Sequence, residues 1–217
     1  RIKDLTDALS QGKTIALITD AGTPCISDPG YRLVKAAARE KIPVIPVPGC
    51  SAVAAGLSVS GLPSDSFLFV GFLPRKKQQM AGAIKNLEHE KATLIFYESP
   101  RRIRVLVEQL RQTLGDRRAC LAREMTKQHE EYVRGPLSAV LAGLDQKILT
   151  LDQVKGECTL FVEGCQRPPA LSQEALEDII IKELADGATG TSFLAKKISS
   201  SYNISKKKVY DTILKFQ

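Results

Sequence analysis

Histidine is scarce in this chain: only His89 and His129 occur among 217 residues. That leaves too few imidazoles for an ordinary zinc site. The five cysteines (Cys25, Cys50, Cys120, Cys158, Cys165) are an odd number and form no C-x-x-C pair. They do not read as a disulfide framework, and they suit reduced packing residues in a reducing compartment. No apolar run approaches the ~20 residues that cross a bilayer. The opening RIKDLTDALSQG has the pattern of an amphipathic helix and not that of a signal peptide. These shortages point to a soluble, cytoplasmic protein with no metal and no membrane partner.

What is abundant is more selective. A hydrophobic content of 43% can fill a core, and a net charge of +7 with a pI near 9.2 suits a polyanionic partner such as RNA. Charge alone does not choose that partner. The sharpest local feature is DAGTPCISDPG, residues 20 to 30, which joins an expected strand, Thr14 to Thr19, to an expected helix, Gly30 to Glu40. Gly22 and Gly30 allow close backbone approach or positive φ, while Pro24 and Pro29 stiffen the path. Asp28 followed by Pro29 reads as a helix cap with proline at the first helical position. A second expected strand, Ile42 to Val47, leads into PGCSA, residues 48 to 52, where Ser51 can cap a helix from Ala52 to Leu57. Two such loops leaving adjacent parallel strands would form a crevice at the carboxyl end of a sheet, the usual ligand position in open α/β folds.

Short apolar strands without polar alternation, set between helices from Ile2 to Leu62, predict a parallel sheet covered on both faces. After GLPSD (61 to 65), a second unit is expected. It has strands at Phe67 to Phe72, Thr93 to Tyr97, Ala119 to Arg123, around Glu131 to Arg134, and Thr159 to Glu163, with helices at Gln78 to Glu90, after Ser99 as a cap with Pro100 at the first helical position, and from Pro136. Its irregular alternation predicts a mixed sheet. CQRPPALS (165 to 172) reads as a linker, and helices follow at Gln173 to Ala185, Ser192 to Ser200 and Lys206 to Phe216, the last capped by Ser205. The expected division is therefore 1–64, 65–166 and 167–217.

The ordered series TDAGTPCISDPG, PGCSA, GFLPRK (71 to 76), YESPRR (97 to 102), REMTKQHEE (123 to 131) and KGECTLFVEG (155 to 164) resembles the ribosomal RNA small subunit methyltransferase I family, in the tetrapyrrole-methylase fold group. The resemblance runs from about Leu5 to Gly164. It implies a two-domain α/β fold and an S-adenosylmethionine-dependent enzyme that methylates a cytidine ribose 2'-hydroxyl in 16S rRNA, as a homodimer acting on the RNA or the small ribosomal subunit. Members of that family begin with a strand, a proline/glycine turn and a helix upstream of the position of Arg1. The expectation is thus a fragment whose first strand is missing and whose own activity is low. Cys50, Arg101 and Cys158 depart from residues common in the family and are expected to alter packing more than chemistry.

By that resemblance the cofactor would lie against Asp20, Gly22, Thr23, Ile26 and Ser27, then Ser51 and Ala52, and finally Tyr97 and Thr126. A ribose hydroxyl needs its proton removed or hydrogen-bonded as the new bond forms, and Glu98, Glu124 and Lys127 are the candidate groups. Lysine would serve as a base only if burial or a neighbouring cation lowered its pKa. Arg75, Lys76, Lys77, Arg101 and Arg102 are the candidate RNA contacts, placed to hold phosphates without reading sequence. The tail from Lys196 carries six lysines against Asp211, and LAKKISSSYNISKKKVYDTIL resembles a helix-turn-helix. A small helical cap fits that tail equally well. Two other functions remain open: a tetrapyrrole-precursor methyltransferase of the same fold, disfavoured by the basic loops, and a non-catalytic RNA-binding or ribosome-assembly module.

Overall fold

The computed structural model describes residues 1–151, 153–166, 173–185, 190–202 and 204–216. It divides into two compact units, Arg1–Gly164 and Cys165–Gln217.

Three helices open the first unit: α1 (Ile2–Ser10), α2 (Tyr31–Arg39) and α3 (Ala52–Ser60). The remainder alternates strands and helices as β1 (Phe67–Gly71), α4 (Lys77–Lys85), β2 (Thr93–Glu98), α5 (Ile103–Leu114), β3 (Arg118–Arg123), β4 (Glu131–Pro136), α6 (Leu137–Leu151) and β5 (Cys158–Val162). The five strands form one sheet in the order β1-β2-β5-β3-β4. Only β1 and β2 run parallel; β2–β5, β5–β3 and β3–β4 are antiparallel. This is the mixed sheet expected of residues 65–166.

Side-chain alternation gives the sheet two apolar faces. Leu94 and Phe96 of β2 and Leu160 and Val162 of β5 meet α5 and its neighbours through Ile103, Leu106, Val107 and Leu110, residues spaced to share one helical face. Ile95 and Phe161 turn the other way, onto Val53 and Leu57 of α3. Complete burial of side chains this large is worth roughly 1.5–3 kcal/mol each before entropy is charged against it. Gly56 makes the α3 contact possible, because a Cβ there would overlap the Phe161 ring.

The first 64 residues depart from expectation. Thr14 to Thr19 and Ile42 to Val47 carry no ladder, and Ile18, Ile45 and Val47 are 86%, 82% and 86% exposed. An apolar run becomes a strand only when its amides and carbonyls find partners, and two such runs alone make a marginal sheet. The expected parallel sheet of this region is absent among the described residues.

Three caps are corrected as well. Helix α2 begins after Gly30, not at Pro29, because Gly30 at φ 135 cannot join a helix. Ser51 sits at the N-cap of α3, yet its side chain makes no capping bond. Helix α5 starts at Ile103, behind a turn in which the amides of Arg102 and Ile103 both donate to the Ser99 carbonyl. Ser99 therefore begins a turn and not the helix.

The second unit is a three-helix cluster: α7 (Gln173–Ala185), α8 (Thr191–Tyr202) and α9 (Lys206–Ile213). Leu176, Ile180, Leu194, Ala195, Ile198, Val209 and Ile213 form its core. Ser205 caps α9 as expected, its hydroxyl accepting from the Lys208 amide at 3.1 Å. Most of the expected linker, Arg167 to Ser172, lies outside the described residues.

Candidate functional site

The loop from Asp20 to Gly30 meets two other motifs at interior positions. Thr23 Oγ1 donates to the Cys50 carbonyl at 3.0 Å, which fastens it to PGCSA. Ser27 Oγ lies against Gly71, close enough that a Cβ on that glycine would sit 3.4 Å away. Cys25 and Ser27 have φ of 71° and 58°. Left-handed backbone at a non-glycine residue costs roughly 1–2 kcal/mol, so two within three residues mark a loop whose shape its surroundings impose. Asp20, Gly22 and Ile26 are exposed on this same loop.

The second loop leads into α3, whose second residue, Val53, sets its amide beside the Tyr97 hydroxyl. Burial pushes the phenol up, and that amide opposes the rise. Phe69 and Phe72 stand edge-on to the Tyr97 ring, with centroids 4.9 and 5.8 Å away. Ser51, Ala52 and Tyr97 are thus gathered at one helix end.

The turn after β3 meets the same helix from a different side. Met125 is wedged at Gly56, whose Cβ would come within 3.1 Å of its sulfur. Glu124 and Thr126, on either side of Met125, have φ of 50° and 66°. Glu124 Oε1 accepts from the Glu157 amide at 2.8 Å and from Lys127 Nζ at 3.0 Å, while Lys127 also reaches Glu157 Oε2 at 3.1 Å. Thr126 donates its amide to Glu130 Oε2 at 2.6 Å. The Glu157 amide, and after it Lys127, holds the Glu124 carboxyl below its ordinary value. Bonds to Glu124 and Glu157 raise Lys127 in turn. Lysine here is a charged donor, the opposite of the lowered pKa that a basic role requires.

Glu98 follows Tyr97 in sequence but not in space. It alternates with Tyr97 along β2 and pairs in register with Cys158, on the face that carries Leu94, Phe96 and α5. Glu98 is 3% exposed. Its Oε1 accepts from the Ser99 amide at 2.8 Å, and its Oε2 lies 3.2 Å from Arg102 Nη2. That guanidinium nitrogen also donates to the Pro74 carbonyl at 3.2 Å and the Leu73 carbonyl at 3.4 Å. Arg101, Arg75, Lys76 and Lys77 are exposed. The neighbouring Cys158 thiol is pushed up to about 12, first by burial, and stays neutral.

Phe69, Phe72, Met125 and Glu157 were not among the sequence-derived candidates. The first two were visible as aromatics in FLFVGF, and Glu157 stands inside KGECTLFVEG. Nothing in one dimension tied them to Tyr97, Gly56 or Lys127.

Residues 1–141 match the family described as Tetrapyrrole (Corrin/Porphyrin) Methylases. The chain is 47% identical over 162 residues to Ribosomal RNA small subunit methyltransferase I of Halalkalibacterium halodurans, an alignment covering 75% of this chain and 54% of that protein. With the protein of the same name from Streptococcus pyogenes serotype M1 it is 39% identical over 213 residues, covering 97% of this chain and 72% of the relative. The chain belongs to the ribosomal RNA small subunit methyltransferase I family. It spans about half the length of the first of these relatives. Structural likeness agrees on the fold: the methyltransferase CobJ superposes with a TM-score of 0.53 at 14% identity, covering 76% of this chain and 70% of that one. Diphthine synthase superposes at 0.51 and 15% identity, over 75% and 65% of the two chains. Of the five described non-glycine residues with positive φ, Cys25 and Ser27 lie in TDAGTPCISDPG and Glu124 and Thr126 in REMTKQHEE, while Lys41 follows α2 outside any of these motifs.

Proposed function

We propose that the protein containing this chain is a methyltransferase that moves a methyl group from S-adenosylmethionine to the 2'-hydroxyl of a cytidine ribose in 16S rRNA. The observation that carries this reading is the meeting of motifs far apart in sequence around α3: Thr23 on Cys50, Tyr97 packed against the cluster of Val53 and Leu57, and Met125 on Gly56. The residues present fit a bound nucleoside-type cofactor. Small and turn-forming side chains leave main-chain groups open, and strained backbone is concentrated in the same loops.

Asp20, Gly22, Thr23, Ile26, Ser27, Ser51, Ala52, Tyr97 and Thr126 would hold the cofactor, which when bound supplies a methyl group already activated on a sulfonium. Lys127, kept charged by Glu124 and Glu157, can donate to an oxygen and so orient it. Arg75, Lys76, Lys77 and Arg101 supply phosphate contacts for the RNA. In the second unit, Lys207, Lys208 and Lys215 line an open hollow of about 360 Å³ with Gln173, Ser205, Asp211 and Thr212, a further phosphate-facing surface in this reading. Exposed apolar residues of the first 64 support a homodimer, and sedimentation of the full-length protein with and without residues 170–217 tests where its interface lies.

The central test incubates full-length protein with S-adenosylmethionine and small ribosomal subunits or 16S rRNA, then maps ribose methylation by resistance to alkaline cleavage. One protected cytidine is expected. Methyl transfer to a tetrapyrrole precursor and none to RNA would reject the assignment. Gly22→Val and Ser51→Trp are each expected to weaken cofactor binding at least about 100-fold, or roughly 2.7 kcal/mol. Gly22 has open space around it, so its effect comes from φ of 74°, which valine resists. Unchanged affinity in both variants would place the cofactor elsewhere.

A further inference from the structure

We propose that Glu98 and Arg102 form a positioning latch, which sets the backbone from Leu73 to Lys77 and so presents Arg75, Lys76 and Lys77 to RNA. The inference rests on the reading that this basic loop meets RNA. It separates the two arginines of YESPRR: Arg101 faces solvent, whereas the Arg102 side chain is 27% exposed and turned inward. One guanidinium nitrogen joins three acceptors from two parts of the chain, the Glu98 carboxylate and the carbonyls of Leu73 and Pro74. Those carbonyls immediately precede Arg75.

Burial makes the latch stiff. Glu98 Oε2 is buried and makes no hydrogen bond of good geometry, so its charge is compensated by the Arg102 ion pair. The other oxygen is fixed by Ser99, through the amide at 2.8 Å and the hydroxyl at 3.3 Å. A buried carboxylate that loses its cation bears an uncompensated charge, which holds the guanidinium in place. The weakly hydrated guanidinium suits this half-buried place, whereas a compact, strongly hydrated ammonium is drawn toward water. Leu73 is itself buried in the α5-face core, so the loop is pinned by packing on one side and by the guanidinium on the other.

Location also assigns Glu98 a positioning part and not a proton-transfer part. Tyr97 and α3 lie on one face of the sheet and Glu98 on the other. Its influence on reaction would pass through the loop.

The test uses full-length protein. In Glu98→Gln, amide exchange of residues 73–78 is expected to quicken, and the KM for RNA to rise about tenfold, with kcat at saturating RNA and cofactor affinity within about twofold of the parent. In an Arg75→Ala/Lys76→Ala/Lys77→Ala background, Glu98→Gln should add little, since two changes acting through one contact are not additive. Arg102→Lys keeps a cation beside the carboxylate and is the variant to use if Glu98→Gln folds poorly; it should show the same faster loop exchange and raised KM. Unaltered exchange at residues 73–78 in Glu98→Gln and Arg102→Lys overturns the latch. A fall in kcat of about 1,000-fold with RNA affinity intact overturns it too, because Glu98 would then touch the reacting atoms. If the triple alanine variant binds RNA normally, the RNA role of the loop fails, while the exchange measurement still judges the latch separately.

Discussion

Residues 67–164 and residues 1–64 carry similar apolar runs, yet only the first set builds a sheet. In β2 and β5, Leu94, Ile95, Phe96, Leu160, Phe161 and Val162 are fully buried, because each strand has a neighbour on both sides and helices on both faces. In the earlier region Ile18, Ile45 and Val47 face solvent on segments without ladder bonds. Strand-forming side chains express their preference only when the backbone has a partner. Helix formation is less demanding: α1, α2 and α3 all form, since their hydrogen bonds close within the segment.

The largest expected effect exploits that contrast. Phe161→Ala should cost about 3–5 kcal/mol by removing a ring packed among Ile95, Cys120, Val53 and Leu57. Ile45→Ser should stay within about 0.5 kcal/mol in the same chain. Urea denaturation of both variants measures the difference. Equal losses would mean that Ile45 is as well packed as the sheet.

Gly56→Leu comes next and joins the two regions. A side chain there must displace Phe161 or Met125, so α3 should lift from the sheet and about 1–3 kcal/mol of stability should be lost. Tyr97 would lose its packing against the Val53 and Leu57 cluster at the same time. Near-ultraviolet circular dichroism of the tyrosines should change together with the denaturation midpoint. A stability loss with an unchanged tyrosine signal would break the proposed link between α3 seating and the Tyr97 contact.

Legibility in the sequence followed the range of the interactions. Helix α7 was readable to the residue, and the α9 start at Lys206 with its Ser205 cap was readable too, because spacing and capping are local. Strands β1, β2, β3 and β5 were legible as runs rich in apolar residues and β4 only as a strand around Glu131 to Arg134, but the order β1-β2-β5-β3-β4 depends on pairings up to about 70 residues apart. Local rules failed at helix starts. The Ser51 side chain makes no capping bond, and the Pro29 start was blocked by the φ of the adjacent Gly30. At the candidate site, motif order nominated Thr23, Ser51, Tyr97 and Thr126, but it could not show that the sheet separates Tyr97 from Glu98 or that Lys127 has two carboxylate partners.

A smaller effect is expected at α6, whose first turn is fixed by a residue outside it. Asp116 Oδ1 accepts from the Ser138 amide at 2.7 Å, and Oδ2 accepts from its hydroxyl at 2.6 Å. The Ser138 hydroxyl, ahead of the other contacts, holds the Asp116 carboxyl low. Asp116→Ala should cost about 1 kcal/mol, the usual loss for a helix cap, and Asp116→Asn less. Identical losses in the two would point to charge and not to the acceptor geometry as the stabilising feature.

The smallest effect concerns the turn that links the sheet to the candidate site, through Glu124 and Lys127. The Glu124 carboxyl lies below its unfolded value, so its contribution is present above that value and is lost as pH falls through the folded pKa. Lys127 lies above its unfolded value, so its contribution is present below that value and disappears as pH rises through the folded one. The turn should therefore be tightest between these limits, across neutral pH. Lys127 is open to water and Glu124 lies half-buried at the surface, and screening keeps the effect on global stability slight. A local probe is more sensitive: the protection factor of the Glu157 amide, which donates to Glu124, should drop in acid as the carboxylate is neutralised. Glu124→Gln should remove most of that acid dependence while leaving the alkaline loss, because Lys127 keeps Glu157 as a partner. A protection factor constant from neutral pH through the glutamate titration would show that the turn is held by its backbone and Met125 packing, with the charges adding nothing.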